Sequence, residues 1–194
     1  MRWITLCGST RRHSFNARLL QAAAAAAPEG VAIVHAPALD TLPHFSEDLE
    51  PDAWQAGPVA ALADAVRGGD GLLVATPEYN QSIPGVLKNA LDWLSRHPGR
   101  SLLEGRRAAL MGATVGPWGT RVAQAHLRHV LGVAGVAVFP RPLLVAAAAR
   151  HWLPGGGDAS GAWDTELQAR LGAWLVSLAA AWQPPADGRG DQRM

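Results

Sequence analysis

The chain has 194 residues, of which 48% are hydrophobic and 17% are charged, and its formal net charge is +1. This composition excludes an intrinsically disordered chain and favours a globular protein with a full hydrophobic core. Because the charges nearly cancel, they create no field that would attract nucleic acid or an anionic membrane. We therefore expect neither of these as a partner.

Cysteine usage and the first residues of the chain indicate the compartment. Cys7 is the single cysteine, which excludes an internal disulfide and a cysteine-based zinc site and is typical of a reducing cytoplasm. No signal-peptide pattern follows Met1, and no apolar stretch is long enough to cross a membrane. His126 and His129 lie three residues apart, but no third ligand stands at a recognisable spacing. The sequence predicts a soluble cytoplasmic protein without a metal site.

Short apolar runs alternate with helical patterns along the chain. Runs that stop after a few residues predict buried parallel strands, here at residues 3–7, 31–35, 71–75, 107–114 and 133–139. Apolar residues spaced three or four apart predict five helices. One begins at Ser14, one follows an N-terminal cap at Asp52, and three span residues 84–96, 119–131 and 161–182. The remaining long segments are predicted loops at residues 37–51 and 140–161 and a disordered polar tail at residues 184–194.

This alternation predicts an α/β fold in which helices cover both faces of a parallel sheet, giving three layers. Five strands in a doubly wound sheet favour the flavodoxin-like order 2-1-3-4-5. In that order strands 1, 3 and 4 are neighbours, so the loops that follow them form one continuous rim. We expect residues 1–183 to form a single domain that binds its ligand at this rim.

The first of these loops, residues 8–16, reads Gly-Ser-Thr-Arg-Arg-His-Ser-Phe-Asn. It leads into the N-terminus of a helix, where free N–H groups and the helix dipole favour an anion. The hydroxyl groups of Ser9, Thr10 and Ser14 and the guanidinium of Arg11 or Arg12 can bind phosphate oxygens. Neither a dinucleotide fingerprint nor a P-loop is present, so the terminal phosphate of a mononucleotide is favoured. Alternatively, Ser14 only caps its helix.

The second and third loops provide groups suited to a flat ring. The second, Pro77-Glu78-Tyr79-Asn80, is closed by Pro84, and the two prolines limit its backbone freedom. The third, residues 112–121, has glycines that let the main chain approach a ring closely. Its Trp118 could stack on such a ring, line a substrate face or fill a contact between subunits.

The three loops together resemble those of the NADPH-dependent FMN reductase family. The first matches its phosphate loop, Gly-Ser-x-Arg-x-x-Ser-x-Asn, and the second matches its flavin-ring loop, Pro-Glu-Tyr-Asn followed by Ser, Pro-Gly and Leu-Lys-Asn-Ala. The third shares the glycines and the Ala-Gln-x-His-Leu-Arg helix. It departs from the family at Thr120, which replaces a second Gly, and at Arg121, which stands one place before the family's arginine. The resemblance covers about residues 3–140.

The resemblance implies an FMN-dependent NAD(P)H oxidoreductase, with NADPH or NADH as the co-substrate. In such an enzyme a hydride passes to flavin N5 and then, in a ping-pong cycle, to an acceptor such as a quinone, an azo compound, chromate or free flavin. The flavin performs the chemistry, so no catalytic side chain is expected, and a structural or cofactor-orienting role for Glu78 is favoured over a general base. The implied cofactor-binding residues are Ser9, Arg11, Ser14, Phe15, Asn16, Pro77, Glu78, Tyr79, Asn80, Thr114, Gly116, Trp118 and Gly119.

The resemblance also implies a homodimer, or a tetramer made of dimers, in which the partner walls the open flavin face. Trp93 and Leu94, with the apolar residues of 143–152, predict the surface that such a dimer would bury. Lys88 and Asp92 form either a surface ion pair or part of that interface. A non-catalytic FMN-binding electron carrier or sensor is the alternative function.

Overall fold

The computed structural model describes residues 1–155 and 161–183. Within this part of the chain, five parallel strands form a sheet in the order β2-β1-β3-β4-β5. The strands are β1 (Arg2–Cys7), β2 (Ala32–His35), β3 (Gly71–Ala75), β4 (Arg107–Ala113) and β5 (Ala137–Val138). The predicted strand order and parallel arrangement are therefore confirmed. The predicted tail, residues 184–194, lies outside the described residues.

Helices pack on both faces of the sheet and give the predicted three layers. Side chains alternate between the faces along each strand, so that Trp3 and Leu73 point to one core and Ile4 and Leu72 to the other. The first core packs against α1 and α7, and the second against α3, α4 and α5. The helices are α1 (Phe15–Ala25), α2 (Glu50–Ala53), α3 (Pro58–Arg67), α4 (Gly85–Ser95), α5 (Arg121–Val133), α6 (Ala148–His151) and α7 (Thr165–Trp182).

Two short strands form the edge of the sheet beside β4, whereas the sequence predicted one strand at residues 133–139. Residue 133 still belongs to α5, and β5 pairs only with the beginning of β4. A sixth strand, β6 (Leu143–Val145), pairs in parallel with the end of β4. Pro140 and Pro142 lie between the two pieces, and because proline has no N–H group they interrupt the ladder.

The prediction of a long loop at 140–161 and of a helix from 161 is also wrong. Beyond β6 and α6, the strands β7 (Trp152–Pro154) and β8 (Gly161–Trp163) form an antiparallel pair. The rings of their two tryptophans meet edge to face, with centroids 5.1 Å apart. The next helix, α7, begins at Thr165, because Asp164 caps it by accepting the N–H of Leu167. That hydrogen bond, with help from His151, lowers the pKa of Asp164.

The single helix predicted after Asp52 is two helices. Asp52 lies inside the short α2, and its side chain does not cap a helix. Gly57 then adopts a φ of +89°, which ends the helical path, and Pro58 begins α3 at the position where proline is favoured. The segment before α2 contains only two 3-10 turns, Leu39–Thr41 and Glu47–Leu49, as the prediction of an irregular loop implies.

The apolar surface predicted for a dimer is mostly buried inside the chain. Trp93 is fully buried, and its indole nitrogen donates to the carbonyl oxygen of Pro43. The rings of Phe45 and Trp54 pack edge to face against it. Leu94, Leu143 and Val145 are buried as well. Pro43 and Phe45 belong to the predicted loop at residues 37–51. This loop therefore helps to cover Trp93, one of the residues from which the dimer surface was predicted.

The hydrophobic helices of this fold belong to its two cores. Among residues 1–155 and 161–183, no helix combines the length and the apolar character that crossing a lipid bilayer requires.

Candidate functional site

The loops after β1, β3 and β4 lie side by side at the carboxyl edge of the sheet, as the strand order requires. Backbone hydrogen bonds continue past the strand ends here: Gly8 N–H donates to Ala75 O at 2.8 Å, and Thr76 N–H donates to Met111 O at 3.0 Å. Each loop therefore begins from a fixed position. We call this edge the rim.

The first loop is held by the cap of α1. The oxygen of Ser14 accepts the N–H groups of Asn16 and Ala17 at 3.1 and 3.2 Å, and its side chain is buried. The alternative interpretation of Ser14 as a helix cap is therefore observed. A cap of this kind contributes about 1 kcal/mol to stability. Phe15, the next predicted ligand, is half-buried and packs against the ring of Trp163.

The backbone before this cap is rich in free donors. Within the described residues, the N–H groups of 9–13 donate to no protein acceptor. Arg11 and Arg12 are exposed and form no ion pair with any carboxylate of the described chain. Uncommitted backbone donors beside two cations at a helix N-terminus suit an anion such as a phosphate.

Asn16 joins the first loop to the third. Its amide nitrogen donates to Ala113 O at 3.0 Å, and its oxygen accepts the Ala113 N–H at 2.9 Å. The side chain is buried and pairs with the end of β4 as a neighbouring strand would. The sequence motif gave no signal of this contact, since it shows which residue is present but not what its amide binds.

The second loop contains a tight hairpin. Tyr79 and Ser82 exchange two backbone hydrogen bonds of 3.0 Å, and the residues between them, Asn80 and Gln81, have φ values of +50° and +59°. Two successive left-handed residues between paired positions form a type I′ turn, which fixes the direction of the flanking chain. Pro77, two residues before Tyr79, is buried and lies close to Gly8.

Glu78 fixes the second loop to helix α5. Its Oε2 accepts the N–H groups of Val122 and Ala123, both at 2.9 Å, and thereby caps the N-terminus of α5. A carboxylate in this place also has a favourable interaction with the helix dipole. Ser82 adds a second link, since its hydroxyl lies 2.9 Å from Nδ1 of His126 on the same helix. These contacts give Glu78 a structural role at the rim.

The third loop depends on close packing at Gly112. A Cβ atom at this position would overlap Thr120 Oγ1 and the carbonyl oxygen of Thr76, so a side chain does not fit. Thr120, one of the departures from the family pattern, is fully buried, and its oxygen accepts a hydrogen bond of 2.9 Å from the amide of Gln124. The threonine therefore serves as a packing and hydrogen-bonding residue under the loop.

The segment after β6 supports the rest of the third loop. Thr114 N–H donates to Val145 O at 3.0 Å, and Gly116 O accepts the N–H of Ala147 at 2.9 Å. Gly119 has a φ of +64° and lies close to Leu144, which explains why glycine is needed there. Most of this supporting segment was predicted only as a loop.

Two cavities, one at each edge of the sheet, have different linings. A cavity of about 920 Å³ lies at the opposite edge of the sheet, where Arg106 donates to the carbonyl groups of Gly69 and Leu102 and Arg107 donates to Trp182 O. The guanidinium groups of Arg106 and Arg107 are thus already bound by carbonyl groups of the protein. A cleft of about 300 Å³ is lined in part by Ser9, Thr10 and Arg11 of the first loop and also contains Cys7. Burial raises the pKa of this thiol, which keeps it protonated and poorly nucleophilic.

Comparison with known proteins identifies the family. The profile of the family described as NADPH-dependent FMN reductase matches residues 1–151. The chain belongs to this family. It is accordingly an FMN-dependent NAD(P)H oxidoreductase of flavodoxin-like fold. Nothing in the comparisons supports the alternative of a non-catalytic carrier or sensor.

Individual relatives of this FMN reductase agree with that assignment. A 2-hydroxy-1,4-benzoquinone reductase from a Burkholderia species is 42% identical over 135 residues, which cover 70% of this chain and 72% of the relative. The quinone reductase of Escherichia coli K12 is 35% identical over 72% of this chain and 73% of its own length. Among solved structures, FerB, a flavoenzyme NAD(P)H:(acceptor) oxidoreductase from Paracoccus denitrificans, superposes with a TM-score of 0.79 at 29% identity, covering 93% of this chain and 96% of FerB.

Glu78 provides a direct test of how this rim of the FMN reductase is held. Glu78→Ala should lower the free energy of unfolding by about 1–2 kcal/mol, because two helix N–H groups lose their acceptor. Glu78→Gln, which keeps a neutral acceptor, should lose less. Urea unfolding measures both, with Glu166→Ala, an exposed acid in the first turn of α7, as the control. Unfolding of Glu78→Ala at the wild-type urea concentration would show that the cap does not stabilise the protein.

Proposed function

We propose that this FMN reductase transfers two electrons from NAD(P)H to a quinone or a similar small aromatic acceptor in the cytoplasm, and that residues 1–183 act as one FMN-binding domain. The balanced reaction is NAD(P)H + H⁺ + quinone → NAD(P)⁺ + hydroquinone. Similarity to two enzymes named as quinone reductases supports this acceptor class. Bound FMN would supply the hydride chemistry at its N5 atom, so the residues of the chain need to bind, orient and exclude water.

The observation that carries the proposal, through the binding of FMN, is the set of free hydrogen-bond donors in the first loop. The N–H groups of residues 9–13 have no acceptor within the described chain, and the hydroxyl groups of Ser9 and Thr10 lie in the same loop. We propose that these groups and Arg11 bind the FMN phosphate. Ser14 supports this site because its oxygen caps α1, and its hydroxyl proton is left for the phosphate.

The second and third loops suit the isoalloxazine ring. The type I′ turn at Asn80 leaves the backbone from Pro77 to Tyr79 in a fixed path beside the rim. On the other side, Thr114 and Gly116 are fixed by the segment after β6, as described above. We propose that backbone groups of both loops bind the polar edge of the ring, and that Phe15 and Asn16 act through the packing of the first loop.

The assembly that we propose is a homodimer, or a tetramer of such dimers, with FMN close to the boundary between subunits. The surface first predicted for this contact is buried, but other large apolar side chains are exposed, and several of them lie on or beside the rim. Lys88 and Asp92 form an ion pair of 2.6 Å on the surface of α4, which needs no partner chain. A two-fold contact beside the rim, which leaves Trp118 open to the acceptor, would bury part of this exposed apolar surface.

The phosphate assignment predicts a selective effect of Arg11. Arg11→Ala should weaken FMN binding about ten- to a hundredfold, since a charge-assisted hydrogen bond contributes about 1.5–3 kcal/mol. Fluorescence titration of the FMN-free protein with FMN gives this affinity. The matched control is Arg67→Ala, which removes an exposed arginine at the amino edge of the sheet and should leave the affinity unchanged. Equal affinities in both variants would place the phosphate elsewhere.

The catalytic proposal predicts that the purified protein is yellow and oxidises NADPH or NADH in the presence of a neutral quinone without a partner reductase. The rate should depend on the concentrations of both substrates with the parallel double-reciprocal lines of a ping-pong reaction. Anaerobic absorbance measurements of NAD(P)H consumption and hydroquinone formation provide the check. A protein that binds FMN but shows no such turnover would contradict the proposal and favour a carrier or a sensor.

The assembly proposal predicts at least twice the monomer mass of 20.4 kDa at micromolar concentration. Light scattering coupled to size exclusion measures this mass. A monomer that retains FMN and full NAD(P)H oxidation would refute both the dimer and a role of the partner at the flavin face.

A further inference from the structure

Four apolar side chains are exposed around the rim of the proposed FMN site. Trp118 is 69% exposed, Val115 66% and Tyr79 47%, and Val122 is also exposed. They belong to the second loop, the third loop and the first turn of α5. Glu78 connects the second loop to α5, because its carboxylate binds the N–H of Val122. We call these four residues the rim patch.

The backbone on both sides of the exposed Trp118 is fixed by contacts with the rest of the protein. The chain before it is tied by the hydrogen bond from Ala147 to Gly116 O, and the chain after it ends in the fully buried Thr120. A large indole on a loop fixed on both sides is presented to a ligand at little further cost in conformational entropy. Aromatic side chains in such positions provide large, flat contact areas.

A cation stands next to this indole. The guanidinium carbon of Arg121 lies 5.4 Å from the centroid of the Trp118 ring. Arg121 is exposed, and it forms neither an ion pair nor a hydrogen bond with any other described residue of the chain. The carboxylate of Glu78 is committed to two N–H groups of α5 and makes no ion pair with it. The guanidinium therefore keeps its donors available.

We infer that Trp118 and Arg121 select the electron acceptor, favouring planar aromatic acceptors that carry a negative charge, such as ionised hydroxyquinones, over neutral ones. This inference rests on the proposed function. The aromatic ring of the acceptor stacks against Trp118, and its anionic oxygen accepts hydrogen bonds from Arg121. Because the guanidinium lies over the indole, its orientation is held before the acceptor arrives. Arg121 carries the positive charge one position before the arginine of the family motif, whose own position holds the uncharged Val122.

Kinetics of the FMN-loaded enzyme test the inference with two related acceptors. These are 2-hydroxy-1,4-naphthoquinone, which is ionised at pH 7, and neutral 1,4-naphthoquinone. Arg121→Gln should raise the KM for the ionised quinone about tenfold and change that for the neutral one less than twofold, since only the former loses a charge-assisted hydrogen bond. Arg121→Lys should retain part of the preference, and Arg67→Gln, at the opposite edge, should behave as wild type. Trp118→Ala should raise the KM of both quinones.

A binding measurement gives a readout that does not depend on turnover. Isothermal titration of the FMN-loaded protein with 2-naphthoate and its neutral analogue 2-naphthamide should show tighter binding of the anion. Arg121→Gln should abolish the difference, and raising the salt concentration should reduce it. Equal binding of the two probes by the wild type, or an unchanged preference in Arg121→Gln, would overturn the inference.

Two further outcomes separate this inference from its alternatives. If Arg121→Gln raises the KM for NAD(P)H but not for the ionised quinone, the arginine binds the dinucleotide phosphates and the inference is wrong. If Trp118→Ala gives a smaller molecular mass while quinone kinetics are unchanged, the rim patch is a subunit contact and the inference is also wrong. Failure of the wild type to reduce neutral 1,4-naphthoquinone would refute the proposed function, whereas a retained preference for 2-naphthoate would still support anion selection at the rim.

Discussion

The paired hydrogen bonds between the amide of Asn16 and the backbone of Ala113 connect two parts of the chain that are 97 residues apart. They fix the start of α1 against the end of β4, and the first and third loops take their positions from that contact. An amide is suited to this role because it offers one donor and one acceptor in the spacing of a peptide group. Since both atoms are buried, losing one partner would leave the other unsatisfied, which makes the contact costly to break.

The rim is completed by two further constraints of different kinds. Glu78 ties the second loop to α5 through charge and helix capping, whereas Gly112 allows the third loop to pack by the absence of a side chain. Both residues hold loops of the rim in place, and this role does not require either of them to react with a substrate. In a flavoenzyme the cofactor provides the reactive atoms, so a protein of this kind is best understood through the groups that hold its loops in register.

The sequence was sufficient to predict the strand order and the three loops, because short apolar runs followed by turns leave few arrangements for a parallel sheet. It was insufficient where structure depends on distant partners. The covering of Trp93 by Phe45 and Trp54 joins segments far apart in the chain, and β6 exists only because β4 offers it an edge. The partners of Asn16 and Glu78 could not be predicted for the same reason. A motif specifies residue types, whereas a contact also depends on which distant segments of the chain lie beside those residues in the fold.

The broken edge beside β4 has a consequence for how copies of the protein can meet. An open strand edge with unpaired N–H and C=O groups can recruit a strand from another molecule, and long, flat edges are prone to aggregation. Here the edge consists of a strand of two residues and one of three, with Pro140 and Pro142 between them. Such an edge offers too few aligned donors to extend the sheet into a second molecule, so self-association on this side must use side chains rather than a shared β-ladder.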